Sequence, residues 1–411
     1  MLRTWRAVAA RFRALVRSDA AGVRAGFVAL AVSAVGSVVG GLALGSITGT
    51  LEELPGLLVL VPAAIGMRGN IFGALGSRLG TSIRTGTFRL SWRRDTLVGQ
   101  NISASLVLSL AVALLLAIVA KVVAVGFGLE NTISVADFVV ISVVGGALSS
   151  VFVLLITVAV ADLSVRRDWD LDNVAAPIVT TTGDIVTLPS LFVATYLVQV
   201  DWVTPTVAGL CVAAGVAALV AGLRSDLPVL RRIVAESIVV LALAGTIDVI
   251  AGLVIEKRLE SFRAFPALLV LVPPFLGQAG SLGGILSSRV STKLHLGLVT
   301  PARFSLRPVA EDVLLVAAYA VPVFLLVGVS ADIVAAVVGL ASPGTVDVVA
   351  LALLAGGFTT ALTMLVAYST AVVTYRLGLD PDNHGIPAVT STLDLLGSLA
   401  LILCIVVLGL A

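Results

Sequence analysis

Apolar residues along this chain do not alternate with polar ones. They run in long stretches, at about 26–47, 55–79, 98–127, 135–163, 174–199, 205–222, 233–255, 266–290, 311–329, 345–375 and 386–410. A helix rises about 1.5 Å per residue, so roughly 20 apolar residues cross a hydrocarbon layer of about 30 Å. The pattern predicts eleven membrane-spanning helices, of which the sixth and ninth are the shortest.

Composition agrees with the pattern. The 411 residues are 59% hydrophobic and 12% charged, and the mean hydropathy is +1.13. These values exclude a soluble globular domain. Net charge is only +2, and no Lys/Arg block is interleaved with aromatics, so a nucleic-acid partner is not expected. Cys211 and Cys404 lie inside apolar runs, as small core residues do, and imply no disulfide framework.

Charge sets the expected orientation. Arg3, Arg6, Arg11, Arg13, Arg17 and Arg24, with Trp5, Val8, Phe12, Leu15 and Val16 at helical spacing, predict a basic amphipathic helix over 1–24 on an anionic cytoplasmic surface. With the N-terminus inside, Arg84, Arg89, Arg93, Arg94, Arg166, Arg167, Arg224, Arg231, Arg232, Lys293, Arg303 and Arg307 all fall on the cytoplasmic side. Glu52, Glu53, Glu130 and Asp201 fall outside, as the positive-inside rule requires. An odd number of spans then puts the C-terminus outside. A multi-pass protein of the cell membrane is expected, with a mixed-charge loop from Glu256 to Arg263 as the exception to the charge rule.

The chain also repeats itself. Residues 54–86 align without a gap to 265–297, an offset of 211, with 15 of 33 positions identical. The predicted organisation is a first five-helix repeat at 25–200, a linker helix within 201–232 and a second repeat at 233–411. One span between two odd-numbered units gives them the same orientation, so the repeats are expected to be parallel about an axis along the membrane normal. The fold class is an all-α polytopic membrane protein.

A second repeated motif carries the chemistry. Asp170-Leu-Asp172-Asn173 precedes Pro177, Thr180, Thr181 and Gly183-Asp184; Asp380-Pro-Asp382-Asn383 precedes Pro387, Thr390, Ser391 and Leu393-Asp394. A carboxylate at mid-bilayer depth costs roughly 2.5–3.5 kcal/mol on insertion scales, so two in equivalent places imply use. Thr180 and Thr181 precede Asp184 by four and three residues and share its helix face; Thr390 and Ser391 do the same for Asp394. Carboxylate and hydroxyl oxygens suit a hard cation such as Mg²⁺, which keeps several waters and is bound through one or two carboxylates. The metal here would be cargo, and no cofactor is expected.

Asn70, in the first of the paired segments interrupted by Gly and Pro at 55–79 and 266–290, joins this candidate set. Such paired segments point to a transport site whose unwound carbonyls line a cavity. Asp172 and Asp382 join it as acids that concentrate cations at an inner mouth, while Asn173 and Asn383 read as helix N-caps. Asp248 is a possible accessory acid without a counterpart, since the first copy has Ser37. Arg68 reads most simply as a snorkelling or ion-paired arginine, and His295 and His384 as surface residues at segment ends.

Gly66-Met67-Arg68-Gly69-Asn70, Ser77-Arg78-Leu79 with Thr81, Ser288-Arg289-Val290-Ser291-Thr292 with His295, and Asp-x-Asp-Asn followed by Pro and then Gly183-Asp184 resemble the MgtE family of magnesium transporters. The resemblance is closest to its tandem-duplicated branch, which includes animal solute-carrier members, and spans about 26–410. It implies a permease for Mg²⁺ or divalent cations generally, not an enzyme, with the motif aspartates, Asp184 and Asp394, lining the pore. A single chain would suffice, its two repeats standing in for two subunits. The second copy departs from the motif at Ser281 and Leu393. Two other readings of paired intramembrane aspartates stay open: a proton-coupled solute transporter using them as a relay, and an intramembrane aspartyl protease.

Overall fold

The computed structural model describes residues 20–167, 171–301, 307–379 and 384–410, with the side chains of 21, 171–177 and 307 outside that description. The amphipathic segment over 1–19, Asp380, Asp382 and Asn383 therefore lie outside the described residues. Every regular element described is helical. Eleven helices are long and apolar enough to cross a membrane. They are α1 (Ala20–Ser46), α3 (Leu57–Arg84), α4 (Leu97–Gly126), α5 (Val135–Arg167), α6 (Leu171–Thr195), α7 (Val203–Leu223), α8 (Pro228–Glu256), α10 (Ala267–His295), α11 (Ala310–Val338), α12 (Thr345–Leu377) and α13 (Ile386–Val407). Two short helices that the apolar pattern does not predict, α2 (Thr48–Glu53) and α9 (Leu259–Ala264), occupy equivalent places ahead of α3 and α10.

Three expectations are corrected. The ninth span runs on through Ser330 and Asp332, where the apolar pattern stops, to Val338. It can do so because both Asp332 oxygens are satisfied, by Ser342 Oγ at 2.7 Å and Thr345 Oγ1 at 2.6 Å. Asn173 is no N-cap, since α6 already begins at Leu171. The Gly/Pro segments, third, are not broken: α3 and α10 are continuous through Pro62 and through Pro273 and Pro274.

That continuity has a tertiary cause. A proline cannot donate to the carbonyl four residues back, so Pro62 frees Leu58 O and Pro274 frees Val270 O. The α-carbon of Gly252 on α8 packs against Leu58 O and Val59 O, and that of Gly41 on α1 packs against Val270 O. A Cβ at either glycine would overlap those backbone oxygens. Close glycine contacts of this kind let neighbouring helices supply weak Cα–H donors to freed carbonyls.

The same contacts reveal an exchange. Helix α1 packs on α10 and α11 as well as on α6, and α8 packs on α3 and α4 as well as on α13. Each repeat's first helix thus lies against the second and third helices of the other repeat. Helices α3 and α10 are buried all round, every residue from Leu57 to Ala64 and from Ala267 to Leu276 being enclosed. Helix α7 keeps a broad apolar surface exposed, Leu210 and Val216 included, as a lipid-facing helix does.

Candidate functional site

The exchange of α1 and α8 places the repeated motif. Asp184 sits midway along α6 and is 2% exposed; Asp394 sits on α13 and is 9% exposed. Ser37 on α1 donates a hydrogen bond to Asp184 Oδ2. That same oxygen lies 3.5 Å from where a Cβ would stand on Gly277 of α10. In the other half, the equivalent glycine of α3, Gly66, has an oxygen of Asp394 at 3.5 Å from its Cβ position and one of Asp248 at 2.9 Å. Each motif aspartate therefore rests against a glycine on the opposite repeat's second helix.

The hydroxyls divide between two neighbours. Thr181 faces α1 at Gly36, and its Oγ1 is buried without a hydrogen-bond partner among the described residues. Ser391 is fully buried, and its Oγ has no hydrogen-bond partner among the described residues. Thr390 Oγ1 reaches Asn70 Oδ1 at 3.3 Å and also bonds back to Ile386 O and Pro387 O. Asn70 and Thr390 thus meet across the repeats, with Asn70 Nδ2 left unpartnered. Thr180 is partly exposed one turn before Asp184. The side chain of Asp172 and all of Asp382 lie outside the described residues.

Arg68 is neither snorkelling nor ion-paired, contrary to expectation. It is 1% exposed on α3, and its Nε donates to Ser149 Oγ at 3.0 Å on α5. The absent side chain at Gly146 makes room for its Nη2. No described carboxylate lies within ion-pair reach of it. A buried guanidinium without an anion is costly, and Arg68 holds fixed positive charge one helix away from the carboxylates. Sequence spacing could not show this, because the room for it comes from α5.

His295 is an exposed residue, as expected, with Nδ1 at 2.8 Å from Ser291 O. Asp248, seen from sequence only as an asymmetric acid, proves to be part of the cluster. Among the described residues no three His, Cys, Asp or Glu side chains gather closely enough to hold a metal ion directly. What gathers is a buried set of carboxylates, hydroxyls and one amide contributed by both halves, a chemistry suited to a hard cation that keeps part of its water shell.

A model of the MgtE family, described as a divalent cation transporter, matches residues 61–194 and again 272–404. The two matches fall on the two halves that internal similarity delimits. The chain is 27% identical over 393 residues to solute carrier family 41 member 3 of Rattus norvegicus, covering 91% of this chain and 84% of that protein. It is 28% identical over 371 residues to the Mus musculus member 3, covering 86% and 75%, and 27% identical over 248 residues to member 2 of Gallus gallus, covering 58% and 42%. No solved structure matches the chain. With both halves matched and eleven candidate spans, this multi-pass membrane protein belongs to the MgtE family of divalent cation transporters, a family of permeases and not of enzymes.

Proposed function

We propose that the chain moves Mg²⁺ across the cell membrane along a path between its two repeats, lined by Asp184 and Asp394. The carrying observation is that these equivalent residues, one from each half, are both buried and each rests against the equivalent glycine on the other repeat's second helix, Asp184 at Gly277 and Asp394 at Gly66. Positions related by a pseudo-two-fold axis can approach each other only near that axis. A second equivalent pair, Glu52 and Arg263, is also in contact, with Arg263 Nε at 2.7 Å from Glu52 Oε1 between α2 and α9. Both pairs support one axis and hence one path per chain, so a monomer suffices. The ion salt bridge between the short helices then stands over one end of that path.

Mg²⁺ fits because two carboxylates neutralise it while nearby hydroxyls, Thr180, Thr181, Thr390 and Ser391 among them, receive its retained waters. Conduction needs binding weak enough to release the ion, which outer-shell contacts through water provide. The arginine distribution supports a cytoplasmic N-terminus with the α2/α9 face outside.

The test is flux in proteoliposomes containing a Mg²⁺-sensitive dye, with and without imposed Na⁺ and H⁺ gradients. Asp184→Asn and Asp394→Asn keep shape and remove charge, so both should insert normally and lose most Mg²⁺ flux. Asp162→Asn, which only removes the surface pair with Arg166, serves as the control. Wild-type flux in either motif variant would sink the proposal, and uptake that vanished without a proton gradient would favour a relay instead.

A further inference from the structure

The two halves of the cluster are unequal in charge. Where α1 carries Ser37, a donor that satisfies Asp184, α8 carries Asp248. Asp248 is 0% exposed, and neither of its oxygens has a hydrogen-bond partner among the described residues. It stands beside Asp394, and both carboxylates reach the same bare flank of α3 at Gly66. The charged group nearest on that helix, Arg68, is turned away to Ser149 and Gly146 on α5. Ser391, buried and unpartnered, points at Asp248 from α13. Two carboxylates buried side by side repel each other and each forfeits its hydration, and a cation shared between them offsets both costs.

We propose that Asp248 is a further cation-contacting residue, forming with Asp394 and the Ser391 hydroxyl a resting station for the divalent cation. The inference rests on the transport reading above and adds a residue and an asymmetry to it. At this station two negative charges balance the ion; at Asp184 with Ser37 only one does. A divalent cation therefore dwells in the second half and is held loosely in the first. Glycine at position 66 keeps the slot open, since a methyl there would stand 2.9 Å from Asp248 Oδ2. Mobile-ion affinity follows the number of charged ligands, which makes the asymmetry measurable.

The experiment uses the full chain in nanodiscs with Mn²⁺ as a paramagnetic probe and Mg²⁺ as competitor. Wild type should bind one Mn²⁺ more tightly than the rest, displaced by Mg²⁺. Asp248→Asn, and Asp248→Ser, which recreates the first half's arrangement, should weaken that site about tenfold or more. Ser37→Asp, which recreates the second half's arrangement in the first, should add a second tight Mn²⁺. This gain keeps the test decisive if removal of Asp248 disturbs folding. Tight binding unchanged in both Asp248 variants, or no added ion in Ser37→Asp, would overturn the proposal. The transport reading fails separately, if Asp394→Asn retains full Mg²⁺ flux while Mn²⁺ binding still reports on Asp248.

Discussion

The first and second repeats share one scaffold and differ in where they place charge. Ser37 is matched by Asp248, Gly45 by Glu256, and Asn101 by Asp312. Near the C-terminal end of the second helix of the first repeat, Arg78 Nε bonds to the neutral Asn101 Oδ1 at 2.8 Å; at the same place in the second, Arg289 Nε and Lys293 Nζ both bond to Asp312, at 2.7 and 2.5 Å. Glu256, at the end of exchanged helix α8, accepts from Gly56 N at 2.9 Å and Leu58 N at 3.0 Å, and so caps the N-terminus of α3 in the other repeat. Gly45 has no side chain to do the same for α10. Duplication preserves the backbone contacts that hold two repeats together, while the polar groups around them are free to diverge. At these three positions the second half carries acids where the first carries a hydroxyl, a glycine and an amide.

The largest effect should come from unequal loss at the two motif aspartates. Asp184→Asn leaves its half with no acid and should take Mg²⁺ flux to background, whereas Asp394→Asn retains Asp248 and should leave a measurable residue. Equal losses in the proteoliposome assay would erase the functional side of the comparison.

Next comes the shared scaffold. Gly252→Ala and Gly41→Ala each push a methyl into backbone oxygens that cannot move aside, and each should cost about 2–3 kcal/mol, read as a lowered thermal midpoint in detergent. Gly69→Ala, with nothing within 4 Å of its Cβ position, should be neutral or mildly stabilising. If only one of the exchanged helices were sensitive, the packing of the halves would not be equivalent.

The clamps should respond in opposite directions. Asp312→Asn strands Arg289 and Lys293 and should cost about 1–2 kcal/mol, discounted because both bases are partly exposed. Asn101→Asp replaces the neutral acceptor of Arg78 Nε by a charged one and should stabilise by a smaller amount, measured in the same melts. The smallest effect is expected at the α2/α9 bridge, where Arg263→Ala breaks a pair whose side chains are 48% and 43% exposed and should cost below about 1 kcal/mol. A large flux change there, without a change in stability, would show that the bridge matters to passage and not to folding.

Eleven spans, the duplication and the two aspartates were legible in the chain, because apolar run length and recurrence at an offset of 211 are one-dimensional signals. Glycine and proline in α3 and α10 were legible as unusual but misread as breaks, since the oxygen a proline frees is met from another helix, by Gly41 or Gly252. The end of α11 was hidden for a like reason: Asp332 looks like a stop until Ser342 and Thr345 satisfy it. Hydropathy decides that a segment is buried in lipid or protein, but it carries no record of which helix lies against which. Only the tertiary structure therefore decided that α1 and α8 are exchanged between repeats, that Arg68 is enclosed by α5, and that Asp248 joins Asp394, because each depends on contacts between residues far apart in sequence.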